Sequence, residues 1–142
     1  MNTASTSDTW TLLFGAWLIA FASSLAVLFI GEVMGQAPCN LCWFQRACMF
    51  PLAIVLAVAC LRQDAGAWRY ALPLAAAGWA ISLFHTLIYA GAIPQSIQPC
   101  GQGPSCSSAD MTILSVPLPL LSVLAFSGIA ALLLIVRRKT RA

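Results

Sequence analysis

Residues 39–46 read Cys39-Asn40-Leu41-Cys42-Trp43-Phe44-Gln45-Arg46, and from there to residue 61 no further charge interrupts an apolar run. A bilayer core of about 30 Å takes roughly 20 apolar residues in helical form. Residues 43–61 therefore read as a membrane-spanning helix with a Cys-x-x-Cys pair at its start and one arginine inside. Working outward, three more long stretches carry no charge: 9–31, 70–93 and 116–136. None alternates with period two, and each is too long for a barrel strand, so four helices are expected rather than a transmembrane barrel. The fold class is an all-α membrane protein, a four-transmembrane-helix bundle forming a single integral membrane domain over 1–142.

Composition supports that frame. Of 142 residues, 61% are hydrophobic and 8% charged, against about 25% charged in soluble domains, which excludes a soluble globular enzyme. The same values exclude disorder, which needs low hydrophobicity and high net charge. The net charge of +3 comes without a basic face, so no nucleic-acid partner is expected. The first apolar run has no positive segment before it and is too long for a signal h-region, so it is expected to be retained. Trp10, Trp43, Trp68 and Tyr70 fall at span ends, where an aromatic belt would lie. Small residues such as Ala75-Ala76-Ala77-Gly78 suit close helix packing.

Six of the seven cations share one side: Arg62 and Arg69 flank the loop between spans two and three, and Arg137, Arg138, Lys139 and Arg141 follow span four. Cytoplasmic loops retain positive charge, which places both termini in the cytoplasm and the loops 32–42 and 94–115 outside. The seventh cation, Arg46, lies within the membrane near the outer end of span two.

That topology sorts the cysteines. Cys39 and Cys42 sit at the junction of the first outer loop with span two, and Cys100 and Cys106 lie in the second outer loop. Cys48 and Cys60 fall inside span two, where thiols are small packing residues. The four outer cysteines are in the compartment where thiols oxidise. Cysteine at a helix N-terminus has its thiolate stabilised by unpaired backbone N–H groups, and a helix starting at 41–43 gives that place to Cys42. Pro38 disfavours helix at Ala37. Redox turnover, a structural disulfide and a four-cysteine zinc site all fit these pairs.

Arg46 follows Cys42 by one turn and shares its helix face. A cation there can stabilise a thiolate or hold an electron-rich ring or oxyanion; the plainer reading is a side chain snorkelling to the headgroups. His85, the single histidine, is the other polar group in a span. Counted from residue 93 it lies roughly 12 Å inside the outer end of span three, deeper than Arg46. It is either an interhelical hydrogen-bonding group or part of a ligand site. Glu32 and Asp110 read as boundary charges.

The run from Cys39 to Arg46 resembles the C-x-L-C-x-Tyr-(Gln/Glu)-Arg signature of the DsbB family, membrane proteins that regenerate a thioredoxin-like dithiol oxidase. Span number, orientation and the second cysteine pair extend the likeness over nearly the whole chain, closest to the compact BdbC-like type. Phe44 stands where tyrosine is usual, and only five residues separate Cys100 from Cys106. The resemblance implies a thiol:quinone oxidoreductase of the bacterial inner membrane. Cys100 would form the mixed disulfide with a DsbA-like thioredoxin-fold oxidase, Cys106 would pass electrons to Cys39, and Cys42 would face the quinone, ubiquinone or menaquinone. Arg46 and His85 would bind that cofactor, and no metal is implied. Two other readings stay open: a four-cysteine metal-binding or accessory membrane subunit, and a vitamin-K-epoxide-reductase-like quinone reductase, in which the C-x-x-C lies later in the chain.

Overall fold

A computed structural model describes residues 3–94, 97, 112–113 and 116–141. It contains four long helices: α1 (Thr3–Leu28), α2 (Asn40–Arg62), α3 (Trp68–Tyr89) and α4 (Leu118–Arg141). All four are long and apolar enough to cross a membrane. α1 continues as one wider π-helical turn, Phe29–Val33, and a short 3-10 turn, Ala65–Ala67, leads into α3. Before α4, strand β1 (Thr112–Ile113) pairs antiparallel with β2 (Val116–Pro117).

Helix ends depart from the expected spans for local reasons. α2 starts at Asn40 rather than 43. Cys39 is its N-cap in extended backbone, φ −71° and ψ 168°, with its sulfur accepting the Cys42 N–H; this satisfies one of the unpaired donors of the first turn. α3 ends at Tyr89 rather than 93, because Gly91 takes a φ of +74° that glycine adopts readily. α4 starts at Leu118 rather than 116, because Val116 and Pro117 pair with β1. Pro119 then falls in the first turn of α4, where proline costs little.

The helices form a ring in which α1 and α3 each pack against both α2 and α4. Leu13, Leu52, Leu56, Phe126, Ile129 and Leu133 fill its centre. Lipid is as apolar as leucine, so close approach and polar links must hold such helices together. A close approach is at Gly78, where an added Cβ would run into the Phe126 ring. Trp79 Nε1 also donates to Ser127 Oγ at 3.0 Å, linking α3 to α4.

One end of the bundle collects the cations that end α2 and α4 and open α3. Three guanidinium groups lie over the Trp68 ring: Arg141 at 4.9 Å, Arg137 at 5.4 Å and Arg69 at 5.7 Å. Lys139 pairs with Asp8 at 2.9 Å. The opposite end carries the start of α2 and with it the Cys-x-x-Cys pair.

Candidate functional site

The N-cap geometry of α2 fixes the first cysteine pair. Cys39 and Cys42 are free thiols whose sulfurs lie 2.8 Å apart, and the Cys42 N–H points at Cys39 Sγ from 3.3 Å. Because α2 begins at Asn40, the helix terminus acts on Cys39 rather than on Cys42, as a later start would have had it. Cys39 is also the deeper residue, with no exposed surface. Its thiol is pulled below the ordinary range, chiefly by the hydrogen bond shared with the Cys42 thiol; burial opposes this, and His85 and the Cys42 N–H add to it. The N-cap contact and His85 both favour the thiolate of the pair at Cys39.

Cys42 opens onto a cavity of about 680 Å³ enclosed by α1, α2, α4 and the 35–38 loop, a size typical of small-molecule sites. Its walls are mainly apolar, and Gln45, Arg46 and Ser122 join Cys42 among its polar lining. Arg46 is held in place across the gap to α1: Nη2 donates to the Val27 carbonyl at 2.9 Å, and the guanidinium lies 5.5 Å from the Trp43 ring centroid. That carbonyl stands just before the π-helical turn, whose wider ladder shows in the Met34 N–H bonded to the Phe29 carbonyl at 3.2 Å. Gly31, within that turn, leaves room for the guanidinium; a Cβ there would stand 3.2 Å from Nη2.

His85 is placed differently from the sequence reading. Since α3 stops at Tyr89, His85 lies about 6 Å from the helix end, shallower than Arg46, which is about 9 Å into α2. It is not among the residues lining the cavity. Instead Nε2 lies 3.8 Å from Cys39 Sγ, and Nδ1 lies 3.2 Å from Gln45 Nε2. Ser122 Oγ reaches Gln45 Oε1 at 3.3 Å.

Gln45 and Ser122 are the site residues that sequence reasoning passed over. Gln45 stands in the signature run, yet a glutamine in an apolar helix reads as a packing anomaly until its partners are known. Ser122 carries no signal at all. Phe44 is 58% exposed and does not line the cavity, so the departure from tyrosine falls on the lipid-facing side. Cys48 and Cys60 are half-buried and pack against the central apolar cluster. Cys100 and Cys106 lie outside the described residues. Among the described residues, Cys39, Cys42 and His85 bring three potential metal-ligand atoms within 4.8 Å of one another.

Vicinal thiols, one of them acidic, beside an apolar cavity in a four-helix membrane bundle make this a membrane thiol–disulfide oxidoreductase. The family model "Disulfide bond formation protein DsbB" matches residues 8–136. The chain is 60% identical over 142 residues to a probable disulfide formation protein of Metapseudomonas resinovorans, covering 99% of both chains. It is 39% identical to one from Deinococcus radiodurans, over 87% of this chain and 86% of that one. Disulfide bond formation protein C of Bacillus subtilis is 33% identical over 80% of this chain and 83% of its own. No solved structure matches. The chain belongs to the DsbB family of disulfide bond formation proteins, which replaces the vitamin-K-epoxide-reductase-like alternative, and it is a multi-pass membrane protein.

Proposed function

We propose that the protein reoxidises a DsbA-like thioredoxin-fold oxidase on the outer face of the bacterial inner membrane and passes the electrons to a membrane quinone. The observation that carries this reading is the opening of Cys42, bonded to the acidic Cys39, onto a cavity of about 680 Å³ that also holds Arg46. Thiolate attack on a disulfide moves two electrons per exchange. Cys100 takes the mixed disulfide with the partner, Cys106 hands the electrons to Cys39, and Cys42 faces the acceptor. Both termini and the arginine-rich end lie in the cytoplasm.

The cavity suits a quinone. Its apolar walls match a lipid-soluble ring and tail, and the Arg46 guanidinium is a donor for a carbonyl oxygen. When bound, a quinone would accept the two electrons that closing the Cys39–Cys42 disulfide releases, taking one proton from the Cys42 thiol and the other from solvent. The chain's own residues bind and orient: Arg46 fixes a carbonyl, Met49 and Phe126 bound the apolar wall, and Cys39 supplies the thiolate.

The test is to mix the purified protein with a reduced thioredoxin-fold oxidase and a soluble quinone and to follow quinol formation. Turnover should vanish in Cys39→Ser and Cys42→Ser; turnover that survives either change overturns the reading. A metal-binding role has one observation behind it, the cluster of Cys39, Cys42 and His85, since two thiolates and an imidazole are zinc ligands. Stoichiometric zinc in a protein that forms no quinol would favour it.

A further inference from the structure

A line of polar groups crosses an otherwise apolar bundle from α4 through α2 to α3 and back to the α2 start: Ser122, Gln45, His85, Cys39. Three of them are almost wholly enclosed, with Gln45 8%, His85 1% and Cys39 0% exposed. Buried polar groups are costly unless paired, and the pairing here has a direction. Ser122 Oγ, its one proton shared between the Leu118 carbonyl at 3.2 Å and Gln45 Oε1 at 3.3 Å, faces the Gln45 amide oxygen, and the amide nitrogen is on the side of His85 Nδ1. Nδ1 is then an acceptor, the ring proton is on Nε2, and Nε2 is the atom that meets Cys39 Sγ. Which nitrogen carries the proton is set by what the other one bonds.

We propose that His85 is a catalytic residue of the thiol exchange, its Nε2–H stabilising the Cys39 thiolate whenever the Cys39–Cys42 bond is open, with Gln45 as the positioning residue that fixes the ring tautomer. This rests on the proposed function and deepens it, moving His85 from cofactor binding to sulfur chemistry. In the first step the Cys106 thiolate attacks Cys39 Sγ; an S–S bond forms between them, the Cys39–Cys42 bond breaks, and its electron pair goes to Cys42. In the second, once the partner's other thiolate has attacked its own sulfur in the mixed disulfide and displaced Cys100 as a thiolate, Cys100 attacks Cys106, the Cys106–Cys39 bond breaks, and Cys39 leaves with the electron pair as a thiolate. That departure is where the Nε2–H acts, because a better-stabilised thiolate leaves faster. In this step the ring acts as a hydrogen-bond donor to the sulfur and transfers no proton. Cys39 is then the nucleophile that recloses the bond to Cys42 as two electrons pass to the acceptor.

The other titratable groups near His85 are Cys42, beside Cys39, and Tyr89, one turn along α3 and packed against the cluster containing Cys39; Arg46 lies beyond, on the cavity side.

The experiment uses the full-length protein in detergent or nanodiscs. It reads the pH titration of the Cys39 thiolate by ultraviolet absorbance, single-turnover reduction of the Cys39–Cys42 disulfide by the Cys100–Cys106 dithiol, and the KM for a soluble quinone. His85→Ala should raise the pH at which the thiolate appears and slow the exchange about tenfold, with the quinone KM within about twofold. His85→Gln, whose amide N–H replaces Nε2–H, should restore most of both losses, and Gln45→Leu should shift the thiolate titration in the same direction as His85→Ala. An unchanged titration in His85→Ala, or a loss confined to the quinone KM, overturns the proposal. Should His85→Ala not fold, His85→Gln against His85→Met decides, because only the first keeps a donor on the sulfur; equal titrations refute it. A wild-type protein that forms no quinol would end the proposed function, while the thiolate titration would still decide the role of His85.

Discussion

Arg46 on α2 and Val27 on α1 are joined by a hydrogen bond of 2.9 Å from Nη2 to the backbone carbonyl, formed beside a glycine and a π-helical turn. The bond aims the guanidinium along the cavity wall instead of leaving it to snorkel to the headgroups. Lysine has one ammonium and no planar fork, so it cannot hold Val27 and present a second donor in the same geometry. Arg46→Lys should raise the quinone KM about tenfold, the loss of roughly one charge-assisted hydrogen bond. Exchange between the two cysteine pairs should change less than about twofold, since Arg46 is on the far side of Cys42 from Cys39. Steady-state kinetics with varied quinone and single-turnover thiol trapping separate the two. Equal loss of both steps would assign Arg46 to the thiolate or to folding.

With the Cys39 thiol held well below its ordinary range by its contacts with Cys42 and His85, the reduced pair near neutral pH carries one proton, on Cys42, instead of two. Reduction of the disulfide then takes up one proton with two electrons. The midpoint potential should fall by about 30 mV per pH unit as pH rises from roughly 5 to 8, half the slope of a two-proton couple. Equilibration against a dithiol buffer at several pH values gives that slope directly. About 60 mV per unit throughout would show that Cys39 is protonated when reduced.

Gly78 faces the Phe126 ring so closely that no space is left for a Cβ. The ring is fully buried and has nowhere to move without parting α3 from α4. Gly78→Ala should cost about 1–3 kcal/mol, the usual penalty for overpacking, seen as a lower thermal midpoint in detergent. Pairing it with Phe126→Leu should recover part of the loss. Additive losses in the double variant would mean the two positions are not coupled.

Cys48 and Cys60 pack against the central cluster, and Phe44 faces outward. Replacing both cysteines by alanine, or Phe44 by tyrosine, should leave quinol formation within about twofold of wild type. A large fall in the double alanine variant would bring a thiol of α2 into the electron path and require a third cysteine there.

The four spans follow from sequence alone, because length without charge is what a bilayer selects. Arg46 was legible for the same reason: a cation in an apolar run is costly enough to mark itself. Helix ends were not. The starts of α2 and α4 and the end of α3 were decided by a sulfur cap at Cys39, a two-residue strand pair and the left-handed Gly91, local geometries that an apolar count cannot see. Those few residues matter to the chemistry, since they moved the helix-terminus thiolate from Cys42 to Cys39 and brought His85 to the same level.

What only the tertiary structure decided is which polar groups meet. Gln45, His85 and Ser122 come from three helices and are far apart in the chain. Gln45 and His85 read singly as oddities in lipid and Ser122 as nothing at all, and their order as donors and acceptors exists only once α2, α3 and α4 are packed. The sequence states that a membrane arginine and a Cys-x-x-Cys lie one turn apart; packing against α1 and α4 turns that neighbourhood into a cavity, and packing against α3 gives Cys39 its histidine. The physical reason is that periodicity and hydropathy report how each segment meets its solvent, whereas a site is made by directional bonds between segments.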